Sequence, residues 1–209
     1  MGTLIYEVTT METAADIYDP EYDGESKYEL LGGMQYGYID YEIIGGEKFY
    51  MAAAAPNISH GIIVMRLGSM FNTYIDEHDI DAVVLGDNVD VYLSDDEHVK
   101  PDVSVVCNFN IADNFKRLYT APDLVVEVLS ESTKINDKVK KKATYEKFGV
   151  KEYWIVDPED RSIEVYHNVN GKFNLSGEYK LHSDRTQIKV SIFDDLTVDL
   201  HKVFKWWLN

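Results

Sequence analysis

Two acidic residues in this chain sit where acids are costly. Asp102 follows Pro101 at the head of the run Val103-Ser104-Val105-Val106, and Glu127 lies inside Leu124-Val125-Val126-Glu127-Val128-Leu129. Both runs are short and rich in Val and Leu, and both read as core strands. A carboxylate in such a strand is expensive to bury unless something pairs with it, and two on neighbouring strands repel. A divalent cation between them would remove both difficulties, because hard oxygen donors are what Mg²⁺ and Mn²⁺ prefer. A plainer alternative stands beside this one: Asp102 caps the strand end, and Glu127 meets a Lys or Arg.

The segment after Glu127 supplies a third kind of group. A helix is predicted from about Asn136 to Phe148, with Gly149 as its C-cap. Asp137, Lys141 and Tyr145 follow one another at i, i+4 and i+8, so they share one row of that helix. If the row faces the strand of Glu127, the Lys141 ammonium can orient a water or offset charge on a phosphate oxygen. For Asp137 the better reading is a surface ion pair with Lys141. Glu42 could be a third carboxylate or an edge-strand acid in solvent. His60, at a helix start, could be a base or a phosphate contact, but a polar neighbour of the cap is the favoured reading.

These groups need a scaffold. Tyr36 to Ala55 alternates as a β-hairpin with Gly45-Gly46 as its turn. From Asn57 to His78 the period changes, with Ile63, Leu67, Met70 and Tyr74 at helical spacing and Ser59 as the expected N-cap. Strands are expected at 82–85, 89–93, 103–106, 124–129, 153–156 and 162–166, with a turn over Asp157-Pro158-Glu159-Asp160. The tail alternates through Ile188, Val190 and Ile192, then ends in the aromatic segment Val203 to Trp207, expected to pack on the domain or on a second subunit. The element order is that of an α/β (α+β) fold with a mixed central sheet. Residues 1–27, polar and acidic, read as an N-terminal arm, and 28–209 as a single domain.

Composition narrows the field. The chain of 209 residues carries a formal net charge of -17, which argues against a broad basic face for nucleic acid. The exception is local: seven lysines (134, 138, 140, 141, 142, 147 and 151) crowd the segment directly after Glu127. A single cysteine, Cys107, excludes an intramolecular disulfide and a Cys-based zinc site. No apolar run is long enough to span a membrane, and the N-terminus lacks a secretion-signal pattern, so a cytoplasmic protein is expected.

Taken in order, these segments resemble a known family. Pro101-Asp102 before a Val-rich strand, Glu127-Val128-Leu129-Ser130, Asp137 with Lys141 and Tyr145, and Gly149-Val150 followed by Glu152-Tyr153-Trp154-Ile155-Val156-Asp157-Pro158 are similar to the motif series of the Uma-two family. That family consists of restriction-endonuclease-like proteins of the PD-(D/E)xK nuclease superfamily. Tyr41-Glu42-Ile43-Ile44-Gly45-Gly46-Glu47, Met51-Ala52 and Ser59-His60 resemble its upstream segments, and Ser191 to Leu196 its closing one. The resemblance runs from about Tyr41 to Phe204.

It implies a restriction-endonuclease-like core, a mixed central sheet flanked by helices, here with an N-terminal β-hairpin extension. It implies hydrolysis of phosphodiester bonds of nucleic acid, DNA foremost, with Mg²⁺ (or Mn²⁺) held by Asp102, Glu127 and the backbone carbonyl of Val128. Asp102, Glu127 and Lys141 are then the catalytic residues, and Glu42, His60, Asp137 and Tyr145 accessory ones. Two departures matter. The superfamily's Lys two residues after the acidic ligand is here Leu129, for which Lys141 is the best replacement, and an Asp of the upstream segment is here Gly45. A nuclease fold kept as an inactive binding or regulatory protein is the alternative. A homodimer, suggested by Trp206-Trp207 and by open strand edges, is the expected assembly.

Overall fold

The computed structural model describes residues 30–31, 34–35, 41–50, 58–86, 89–110, 117–130 and 136–205. The N-terminal arm, Met51-Ala52, Lys134 and Trp206-Trp207 lie outside the described residues, as do the side chains of Asp137 and Lys138. The chain divides into two units, Met1–Asp40 and Tyr41–Asn209. In the first, β1 (Leu30–Leu31) pairs antiparallel with β2 (Met34–Gln35).

The second unit opens with a hairpin. β3 (Tyr41–Ile44) pairs antiparallel with β4 (Glu47–Tyr50), and Gly45 and Gly46 turn the chain at φ 64° and 75°, a region that favours glycine. α1 (Ile58–Glu77) follows, and it buries Ile63, Leu67, Phe71 and Ile75 along one stripe. It begins one residue before Ser59, so Ser59 is not the residue preceding the helix that an N-cap would be. Next come β5 (Ala82–Gly86), β6 (Val91–Ser94), β7 (Glu97–Val99), β8 (Val103–Cys107) and β9 (Leu124–Val128). The expected helix near 136–148 starts as a π-helical segment, Asn136–Lys141, and continues as α2 (Lys142–Lys147). It stops at Gly149, whose φ of 80° fits the expected C-terminal glycine. β10 (Glu152–Asp157), β11 (Ser162–Val169), β12 (Lys172–Lys180), β13 (Gln187–Lys189), β14 (Thr197–Asp199) and the short α3 (Leu200–Val203) complete the chain.

A six-stranded sheet in the order β12-β11-β10-β9-β8-β5 forms the centre. β9 and β10 run parallel, joined through the π-helical segment and α2, and the other neighbours are antiparallel, so the sheet is mixed. Its central strands are buried on both faces, which explains their nearly continuous apolar sequences. Leu124, Val126 and Val128 of β9, with Trp154 and Val156 of β10, meet the apolar stripe of α1 and the C-terminal residues Val198, Leu200 and Phe204. The alternate residues Val125, Tyr153 and Ile155 face the other way, toward Tyr145 of α2 and Ile44, Val91 and Val99. A second, four-stranded sheet has the order β4-β3-β7-β6. Among the described residues, no helix is long and apolar enough to cross a membrane.

Candidate active site

β9 buries all five of its residues, Glu127 included. By the period of two, Glu127 belongs with Val125 on the face opposite α1. Two groups from the connection between β9 and β10 meet it there. The Lys141 ammonium lies 3.2 Å from Oε1 of Glu127, and the Tyr145 hydroxyl donates to the same oxygen at 2.6 Å. Lys141 ends the π-helical segment and Tyr145 lies in α2, so the widened turn still delivers both to one strand. Burial holds the Tyr145 hydroxyl well above its ordinary pKa, and the Glu127 charge adds to the effect, so this phenol keeps its proton and acts as a donor.

The hairpin adds a second carboxylate. Glu42 of β3 is buried, not in solvent, and its Oε1 lies 2.9 Å from the Lys141 ammonium. The same oxygen accepts the backbone N–H of Lys100 at 2.8 Å. Lys141 is therefore a bridge between acids of two different sheets. Lys100 itself is buried, with its ammonium 3.2 Å from Asp90. The sequence does not single out Lys100 or Asp90, because the burial of the run from Glu97 to Pro101 depends on the pairing of β7 with distant strands.

Asp102 stands just before β8. The pairing of β8 with β9 ends at Val103↔Val126, one residue short of Asp102 and Glu127. Its Oδ2 accepts the backbone N–H of Val128 at 2.6 Å, which ties the head of β8 to the end of β9. Its Oδ1 lies 3.1 Å from Nε2 of His60, a buried residue of α1. His60 is thus a direct neighbour of Asp102. The plain alternative for the two acids describes these partners well: Asp102 does cap a strand end, and Glu127 does meet a lysine.

The structure therefore assembles Glu42, Glu127, Lys141 and Tyr145 into one buried cluster and pairs His60 with Asp102, which also accepts the Val128 N–H. The described part of Asp137 is its place in the π-helical segment. The donor set of Asp102, Glu127 and the Val128 carbonyl is made of hard oxygens, and so fits Mg²⁺ or Mn²⁺ in chemistry. No group of three or more His, Cys, Asp or Glu able to hold a metal occurs among the described residues.

The lysines of this segment whose side chains are described have local partners. Lys140 pairs with Glu47, Lys147 with Glu97 and Lys151 with Asp123, and Lys142 lies 3.6 Å from the centre of the Tyr166 ring. Each lysine of the segment whose side chain is described has a carboxylate or an aromatic ring beside it.

Comparison with known proteins then decides the family. The model of the Uma2 (Uma-two) family, described as "Putative restriction endonuclease", matches residues 27–200. The chain belongs to the Uma2 family. An uncharacterized protein of Synechocystis, slr1290, is 28% identical over 150 residues, which cover 71% of this chain and 76% of that protein. A crystal structure described as a "putative nuclease belonging to DUF820" from Anabaena variabilis superposes with a TM-score of 0.63 at 20% identity, covering 79% of this chain and 90% of that one. At that identity the likeness is one of fold, and it agrees with the mixed sheet and flanking helices of this Uma2 chain. The segments that carried the resemblance, from Tyr41-Glu42 to Trp154 and the Ser191 region, fall inside the matched range.

A cleft of about 520 Å³ lined by Cys107, Asp123, Lys151 and His167 lies elsewhere in this Uma2 domain, at the opposite ends of β8, β9 and β10. Asp123 is four residues before Glu127, or about 13 Å along an extended strand. Burial, followed by the charge of Asp123, pushes the Cys107 thiol up to about 11, which leaves it a poor nucleophile.

Proposed function

We propose that this Uma2 chain is a nuclease, a hydrolase of phosphodiester bonds in nucleic acid with DNA as the first substrate class to test. The observation that carries the reading is the Lys141 ammonium 3.2 Å from Glu127. It supplies, from a helix, the cation that the superfamily pattern puts on the strand, where this chain has Leu129. The family description and the fold of the Anabaena protein point the same way.

In this reading Asp102, Glu127 and the Val128 carbonyl would hold Mg²⁺ or Mn²⁺. The metal, when bound, supplies Lewis acidity toward a phosphate oxygen and lowers the pKa of a coordinated water. Lys141 supplies positive charge beside the reacting phosphate and a proton donor for a water or oxygen. Tyr145 orients Glu127 through its hydroxyl. His60 and the Val128 N–H hold the Asp102 carboxylate at the strand end.

A second reading has its own support. Both acids already have partners within the protein, and each lysine after Glu127 whose side chain is described has a carboxylate or an aromatic ring beside it, which suits a nuclease fold that binds without cleaving. Incubation of the purified chain with Mn²⁺ and supercoiled plasmid, single-stranded DNA or RNA separates the two. Cleavage by wild type that Glu127→Gln removes supports the nuclease, and no cleavage of any substrate favours the binding protein.

A further inference from the structure

Lys141 is shared between two buried carboxylates, 2.9 Å from Glu42 and 3.2 Å from Glu127. The two acceptors differ in how they are held. Oε1 of Glu42 is fixed from behind by the Lys100 backbone N–H, in the run that leads into Asp102. Oε1 of Glu127 also takes the Tyr145 hydroxyl, and it is this carboxylate that the proposed function gives to a divalent cation.

An ammonium and a divalent cation cannot both occupy the space against one oxygen without strong repulsion, because like charges at a few ångströms in a buried site interact strongly. Lys141 therefore needs somewhere to stay when Glu127 turns to a metal. Glu42 is well placed to hold it there. It lies closer to the ammonium than Glu127 does, it is buried, and its acceptor oxygen is anchored by backbone.

We infer that Glu42 is a positioning residue that retains the Lys141 ammonium, so that ammonium and divalent cation compete for Oε1 of Glu127 and Glu42 sets the balance. The inference rests on the metal-dependent reading above and deepens it, and it differs from a role for Glu42 as a third metal ligand. If Glu42 acts through Lys141, its effect on metal binding vanishes once the ammonium is gone. A direct ligand would matter equally in both backgrounds.

The test is a double-mutant cycle on Mn²⁺ affinity, measured by calorimetric titration of the full chain without nucleic acid, for wild type, Glu42→Gln, Lys141→Met and the double variant. Glu42→Gln should weaken Mn²⁺ binding about tenfold, a typical size for coupling between neighbouring sites. Glu42→Asp should restore much of it. Lys141→Met should bind Mn²⁺ more tightly than wild type, and adding Glu42→Gln to it should change little. An equal loss on Glu42→Gln with and without Lys141 makes Glu42 a ligand and overturns the inference, as does a Lys141→Met variant that binds no more tightly than wild type. Should Glu42→Gln fail to fold, that last comparison still decides. If wild type binds no Mn²⁺, the metal-dependent reading falls and takes the inference with it. If wild type binds and Glu127→Gln does not, that reading stands and the cycle judges the inference alone.

Discussion

The ammonium of Lys141 lies 3.2 Å from Oε1 of Glu127, with both side chains buried and the two residues fourteen positions apart in the chain. The strand fixes the acid and the following helix brings the base. With Glu42 the cluster holds two carboxylates and one ammonium, so each charge depends on the others for its compensation. This interdependence governs what substitution at the site should do.

Lys141→Met should lower the stability of the metal-free protein, because two carboxylates lose the cation between them. Breaking a buried ion pair from one side typically costs about 3–5 kcal/mol. Urea unfolding should show a lower midpoint with an unchanged slope, and Mn²⁺ should recover part of the loss. An unchanged midpoint would mean that the ammonium contributes nothing to holding the acids together.

Tyr145→Phe removes a hydroxyl that donates to Glu127 at 2.6 Å from a fully buried ring. A hydrogen bond to a charged group contributes about 1.5–3 kcal/mol, and thermal unfolding should register a loss of that order. The proposed role of Tyr145 in orienting Glu127 adds a second expectation, a lower cleavage rate at saturating Mn²⁺. A variant as active as wild type would restrict Tyr145 to packing.

Much of this arrangement is legible in the chain, and the rest is not for definite reasons. The short, nearly continuous apolar runs of β9 and β10 and the glycines at 45, 46 and 149 are local signals, and the hairpin, central strands and helix end follow from them. The row of Lys141 and Tyr145 is also local, and it meets Glu127 even though the first half of the expected α-helix is π-helical. What escapes is what depends on distant partners. His60 and Asp102 are brought together by the packing of α1 on the sheet, and the burial of Glu42 and Lys100 by the pairing of β3 with β7 at Ile43↔His98. β7 has only three residues, Glu97-His98-Val99, and no apolar alternation to announce it. β12 is an edge strand with mostly exposed side chains and lysines at both ends, a composition that discourages edge-to-edge pairing and hides the strand from a hydrophobic pattern.

Glu152 ties β10 to the C-terminal segment at Ser191. It is fully buried, and it accepts the Trp154 indole N–H at 2.6 Å together with the backbone N–H and hydroxyl of Ser191. Glu152→Ala would leave these donors without their acceptor, at about 1–3 kcal/mol for each unsatisfied group. The variant should melt well below wild type. A melting temperature equal to wild type would show that water or a neighbouring side chain replaces the carboxylate.

The Cys107 thiol, raised to about 11 by burial and by Asp123, gives a pH signature. Its folded pKa lies above the unfolded value of about 8.5, so the folded state holds the proton more tightly. The contribution is full below the unfolded pKa and is lost as pH rises toward 11. Alkylation of the native protein by iodoacetamide should be slow at pH 8 and accelerate toward pH 11, with a much faster rate at pH 8 in denaturant. Rapid alkylation of the native protein at pH 8 would contradict the assignment.

The central claim is that Glu127 belongs to a phosphodiester-cleaving centre. The direct measurement is the rate at which wild type and Glu127→Gln, purified in parallel, convert supercoiled plasmid to nicked and linear forms in Mn²⁺. The expected result is cleavage by wild type, its loss on chelation of the metal, and a rate for Glu127→Gln lower by at least about a hundredfold, the order expected for removal of a charge-stabilising group. Equal cleavage by the two proteins would contradict the claim, and so would a wild type that cuts neither DNA nor RNA.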